Sequence, residues 1–145
     1  MPYTYKYPRP AVTADAVILK RKNNGRVEVL LIERKPPPFQ GLYALPGGFL
    51  DMEETLEECV VRETMEETRL EGISFHQVAA FSAPDRDPRH RTVTVAFYGW
   101  ADAEQSPKAG SDAKSLRWFP VDHLPELAFD HDLIIKKALD RALEK

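Results

Sequence analysis

Glu63, Glu66 and Glu67 stand at the i, i+3, i+4 spacing that a helix brings onto one face. Like charges set that close repel, so the arrangement calls for a positive group between them. Hard cations such as Mg²⁺ take carboxylate oxygens. The helix that must carry these residues runs from about Thr55 to Glu67, with Thr55 as N-cap and Glu58, three positions on, completing a capping box. At about 100° per residue, Leu56, Cys59 and Val60 fall on the side of Glu63 and Glu67. An ordinary surface helix keeps its glutamates opposite its apolar stripe. Here they continue the stripe and are expected to point into the protein, where an unpaired carboxylate is costly without a cation or hydrogen bonds. Val61 and Met65 fall on the other side, which implies a helix covered on more than one face. Arg62 can pair with Glu66 or reach back to Glu54 and fix the preceding loop. The bland alternative is a solvated glutamate-rich helix, and the shared face weighs against it.

The loop before the helix reads Ala44-Leu45-Pro46-Gly47-Gly48-Phe49. Pro-Gly-Gly is strong turn punctuation, and paired glycines let the backbone approach a ligand closely. Loop and helix together resemble the signature of the Nudix hydrolases, Gly-x5-Glu-x7-Arg-Glu-U-x-Glu-Glu-x-Gly-U with U aliphatic. Gly48, Glu54, Arg62, Glu63, Glu66, Glu67 and Leu70 match in register. Thr64 stands where an aliphatic residue is usual. Arg69 stands where the family has glycine, and a non-glycine residue ending the helix in a left-handed conformation costs roughly 1 kcal/mol. Some loss of stability or a shifted loop is expected there, with activity retained.

The resemblance implies hydrolysis of a nucleoside diphosphate linked to a second moiety, with Mg²⁺, or alternatively Mn²⁺, as cofactor. By the same resemblance Glu63 and Glu67 are the main metal ligands, Glu66 a further ligand, and the carbonyl of Gly47 an additional one. Glu54 and Arg62 hold loop and helix in place. The general base is left open among Glu66, Glu104 and Asp112.

Residues 84–91 hold Arg86, Arg89 and Arg91 with two aspartates and a histidine between two strands. Arginine suits phosphate, although charged hairpin tips are usually solvated. The Pro-x-Arg-Asp-Pro-Arg-x-Arg run and Leu127-Ala128-Phe129-Asp130-His131 resemble Nudix proteins grouped with ADP-ribose pyrophosphatases. Arg34 is a candidate phosphate contact. Phe39, Phe129 and His131 are candidates for a base or ribose pocket, with core packing as the bland reading. The resemblance therefore implies cleavage of ADP-ribose to AMP and ribose 5-phosphate. The alternatives are a nucleoside triphosphate or dinucleotide hydrolase of the same fold, and a non-catalytic ADP-ribose-sensing module. The intact carboxylates and the absence of a winged-helix segment after the last helix favour the enzyme.

The elements that position these residues are an ordinary globular set. At 43% hydrophobic and 30% charged, the chain suits a single domain over 11–145 with a real core, preceded by an extended Tyr/Pro arm over 1–10. The arm could pack on its own domain or on a second subunit, giving a homodimer. A net charge of −3 offers no global basic field for nucleic acid. No apolar run approaches membrane-spanning length and the N-terminus lacks a signal-peptide core, so a cytoplasmic protein without a membrane partner is expected. Cys59 is the one cysteine, a small core residue without a disulfide partner. Strands are expected at 12–20, 27–32, 73–83, 92–100 and 116–120, with a C-terminal helix at 133–143. Residues 101–115 read as a loop. Strands and two helices in this order, like the resemblance, point to a Nudix-type α/β/α sandwich around a mixed β-sheet.

Overall fold

Along β1 (Ala11–Arg21) side chains alternate between two faces, and both faces are apolar. Val17 and Leu19 join Val29 and Leu31 of β2 (Val27–Arg34) in one core layer, while Ala14, Ala16 and Ile18 join Leu30 in the other. The turn between the strands follows its Asn-Gly signal, with Gly25 at φ 85° and the Lys22 N–H donating to the Arg26 carbonyl at 2.8 Å. The structure, a computed structural model, describes residues 2–102, 104–109 and 113–143.

The remaining elements are β3 (Tyr43–Ala44), β4 (Gly47–Phe49), α1 (Leu56–Thr68), β5 (His76–Phe81), β6 (Thr92–Trp100), β7 (Ala113–Pro120) and α2 (His131–Ala142). The seven-stranded sheet runs β3-β2-β1-β6-β5, with β4 added to β1 and β7 to β2. β1 and β6 are parallel and the other pairs antiparallel, so the sheet is mixed. Cys59 and Val60 of α1 close one core layer; Ile134, Ile135 and Ala138 of α2 close the other. This is the α/β/α sandwich expected from the sequence. Among the described residues no helix is long and apolar enough to cross a membrane. Residues 2–10 form neither helix nor strand.

Four local expectations are corrected. Gly47 and Gly48 lie in a strand rather than a turn, paired with Asp15 and Ala14 of β1; a distant strand supplies the ladder that the local signal could not reveal. The second face of α1 is covered only in part, since Val61 is 52% exposed and Met65 half-buried while Cys59, Val60, Thr64 and Thr68 are buried. The strand expected at 73–83 is confined to His76–Phe81, and the last strand begins at Ala113, inside the expected loop.

Arg69 ends α1 in the left-handed region itself, at φ 64° and ψ 12°, and its N–H donates to the Met65 carbonyl. The chain therefore keeps the geometry a glycine would give and carries the Cβ strain. Arg69→Gly is expected to stabilise the fold by about 1 kcal/mol, raising the melting temperature by roughly 3 °C. Thermal unfolding of the two proteins side by side checks this.

Candidate functional site

The capping box forms as read: Thr55 Oγ1 accepts from the Glu58 N–H, and Glu58 accepts from the Thr55 N–H at 2.8 Å. It starts α1 so that its carboxylates meet the Gly47–Gly48 strand. Arg62 then fastens the preceding loop. Its guanidinium donates to both oxygens of Glu54 at 2.6 and 3.0 Å, to the Phe49 carbonyl at 3.0 Å, to Glu63 at 3.2 Å and to Glu66 at 3.1 Å. Asp51 lies 3.4 Å away. The two pairings weighed from the sequence therefore coexist.

Four carboxylates around one guanidinium leave negative charge in excess. Glu54 takes the best share of Arg62, whose hydrogen bonds hold its carboxyl down at about 2. Glu63 goes the other way: burial pushes it up, Glu66 adds to the shift, and Arg62 offsets it only in part. Glu67 accepts from the Gly47 N–H at 3.0 Å. Burial pushes the Cys59 thiol up to about 12, which suits an inert core residue rather than a nucleophile.

Glu63, Glu66, Glu67, Gly47 and Gly48 line a cavity of about 360 Å³. Among the described residues no three acidic, histidine or cysteine side chains converge on a preformed metal cage. Arg62 draws Glu63 and Glu66, and the Gly47 N–H holds Glu67. The donor set still fits a hard divalent cation, since it is made of oxygens and brings three carboxylates together, with Arg62 shared between Glu63 and Glu66 and Arg34 near Glu67. A cation taking these oxygens would compete with Arg62.

The glycines make room for this arrangement. A Cβ on Gly48 would overlap the Glu63 carboxylate, and one on Gly47 would overlap the Ala14 carbonyl and Asp15. Gly48→Ala is expected to displace a flexible side-chain end. Activity should fall by about 100-fold with little change in melting temperature. Gly47→Ala meets backbone and should cost stability instead. Turnover and thermal unfolding of both variants check the contrast.

Of the expected substrate residues, Arg34, Arg86 and Arg89 line the cavity, as does Phe129. Arg34 and Arg89 both lie over the Phe129 ring, at 5.0 and 5.7 Å. Burial and then the neighbouring Arg89 lower Arg34, whereas Arg89 is more exposed and is raised by its two hydrogen bonds to Asp87, at 2.8 and 3.1 Å. Arg86 is buried and committed to Asp130 through two hydrogen bonds of 2.7 and 2.9 Å, so it ties the 82–91 loop to the start of α2. Phe39 and Arg91 are not among the cavity residues. Phe39 packs edge-on against Phe129 at 4.9 Å between ring centres, and Arg91 donates to the Ser82 carbonyl. Of the candidate bases, Glu66 lines the cavity, Glu104 is exposed away from it, and Asp112 lies outside the described residues.

Sequence reasoning passed over Asp15, a buried cavity residue whose Oδ2 accepts from Thr94 Oγ1 at 2.7 Å. The available signal was an acidic residue inside a strand buried on both faces.

The family model described as "NUDIX domain" matches residues 9–141. The chain is 45% identical over 130 residues to a protein of Methanocaldococcus jannaschii named ADP-ribose pyrophosphatase, covering 90% of this chain and 73% of that one. It is 31% identical over 143 residues to the ADPR responsive transcriptional repressor NtrR of Acinetobacter baylyi, covering 96% of this chain and 57% of that one. Among solved structures, the NUDIX domain of Shewanella oneidensis NrtR complexed with ADP ribose superposes with a TM-score of 0.87 at 31% identity, covering 97% of this chain and 94% of that one.

Proposed function

The chain belongs to the NUDIX domain family and is a Nudix pyrophosphohydrolase, and from that premise we propose that it cleaves ADP-ribose to AMP and ribose 5-phosphate with Mg²⁺. The observation that carries this reading is one cavity lined both by the α1 carboxylates and by two guanidiniums over an aromatic ring. A diphosphate needs the first for hydrolysis and the second for its charge; the ring offers a face to a base or sugar. The names of the Methanocaldococcus relative and of the Shewanella complex support ADP-ribose among the diphosphates.

Glu63, Glu66 and Glu67, with the Gly47 carbonyl, would hold the metal. A divalent ion held there would neutralise phosphate charge and make a bound water more acidic. Arg62 and Glu54 fasten the loop to α1 and so set where the carboxylates stand. Arg34 and Arg89 bind and orient the diphosphate. Water adds to phosphorus, one P–O bond of the bridge breaks, and the two phosphate monoesters leave.

The test is a substrate panel of ADP-ribose, nucleoside triphosphates, nucleotide sugars and dinucleotides, with and without Mg²⁺. ADP-ribose should be turned over with the highest kcat/KM. Preference for a triphosphate or dinucleotide would overturn the substrate assignment and keep the hydrolase. The similarity to an ADPR responsive repressor favours one second reading, a sensor. Tight calorimetric binding of ADP-ribose with no turnover of any substrate would select it.

A further inference from the structure

We propose that Asp15 and His131 form a hydroxyl-recognition site in the cavity, which selects a sugar hydroxyl of the substrate. The proposal rests on the reading above, that the substrate is a nucleoside diphosphate joined to a sugar.

Both residues line the cavity and both are buried, at 7% and 4% exposure. They come from separate elements, β1 and the first residue of α2. His131 Nδ1 accepts the Leu45 N–H at 3.0 Å, which leaves the ring proton of the neutral imidazole on Nε2. Burial lowers the basicity of His131, in keeping with a neutral ring. Nε2 lies 3.8 Å from Asp15 Oδ2, too far for a hydrogen bond. Oδ2 is already taken by the Thr94 hydroxyl. Oδ1 lies against Gly47, which has no side chain there. Among the described residues no hydrogen bond reaches Oδ1 or leaves His131 Nε2.

Neither atom is sealed away without a partner, since among the described residues only Thr64 Oγ1 is; an unpaired acceptor and an unpaired N–H donor that stay accessible beside one cavity are placed to meet a ligand there. An alcohol satisfies both: its O–H donates to the carboxylate and its oxygen accepts from the imidazole. A phosphate oxygen is excluded, because Asp15 repels it. Gly47 also binds Glu67 through its N–H, so this place adjoins the proposed metal carboxylates. The hydroxyl is therefore that of a pentose next to the diphosphate.

The experiment measures kcat and KM for ADP-ribose and for analogues lacking one pentose hydroxyl at a time. The proteins are wild type, Asp15→Asn and His131→Asn. The histidine variant retains an acceptor for the Leu45 N–H and removes the Nε2 donor. For one hydroxyl, wild type should lose about 10- to 100-fold in kcat/KM when it is absent, with neither variant losing more on that analogue. Losses that simply add, equal on every analogue, would mean that the pair only supports the fold and would overturn the proposal. Melting temperatures identify a variant that fails to fold, and the other variant then decides. If wild type turns over no nucleoside diphosphate sugar, the substrate reading has failed and this site falls with it; if wild type is active and the losses add, only this site falls.

Discussion

Glu63→Gln is expected to reduce diphosphate turnover about a thousandfold and to raise, not lower, the melting temperature of the metal-free protein at neutral pH. Both effects come from one side chain. Burial and the neighbouring Glu66 push Glu63 above the ordinary carboxylate value. A group raised in the folded state favours the fold while protonated, and that contribution is lost as pH rises through its folded value. At neutral pH the ionised Glu63 is therefore a cost, which a neutral amide of the same shape removes. The advantage of the variant should be largest at neutral pH and vanish on acidification below the ordinary carboxylate value. Adding Mg²⁺ should reverse the order, since a ligand that binds only the native state stabilises it and the variant lacks a main donor. Thermal unfolding from pH 4 to 8, with Mg²⁺ or with EDTA, reads all three outcomes. A variant less stable than wild type in EDTA at neutral pH would refute the charge argument.

Arg62→Met is expected to destabilise by about 2 kcal/mol, allowing for the partial exposure of the guanidinium, and to reduce turnover about 100-fold by loosening the loop that sets the carboxylates. Four carboxylates lose their shared cation. Lysine should rescue poorly, because one ammonium cannot reproduce a planar fork reaching Glu54, Glu63, Glu66 and the Phe49 carbonyl together. The pH signature is distinctive. In wild type, Glu54 is lowered from 4.5 to about 2, so its contribution is present above 4.5 and lost as pH falls towards 2. Without Arg62 that contribution is gone and the raised Glu63 governs, so the variant should gain stability between neutral pH and about 5. Urea unfolding at the two pH values checks it; a variant that weakens on acidification would contradict the hub role.

The carboxylate helix was legible because its information is local: a capping box, a 3.6-residue period and an arginine within reach of Glu54 and Glu66 all lie in a single short stretch. The layered fold was legible for a similar reason, since the apolar alternation of β1 and the wholly apolar run in β2 announce burial on both faces. What escaped depends on partners distant in the chain. Gly47 and Gly48 carry a turn signal but pair with β1, more than thirty residues earlier. Arg86 looks like a phosphate ligand until Asp130, 44 residues on, takes its guanidinium. Asp15 acquires meaning only when the sheet brings Thr94 to it across 79 residues. Arg69 was legible as a departure, but its outcome was not: the helix end keeps its left-handed geometry and the arginine carries the strain.

The most direct test of the central claim is AMP release from ADP-ribose by the purified protein, in Mg²⁺ and in EDTA, beside Glu67→Gln. The account predicts AMP and ribose 5-phosphate in equal amounts from wild type with Mg²⁺, and neither product with EDTA or from the variant. Undiminished release in EDTA, or a fully active Glu67→Gln, would contradict it.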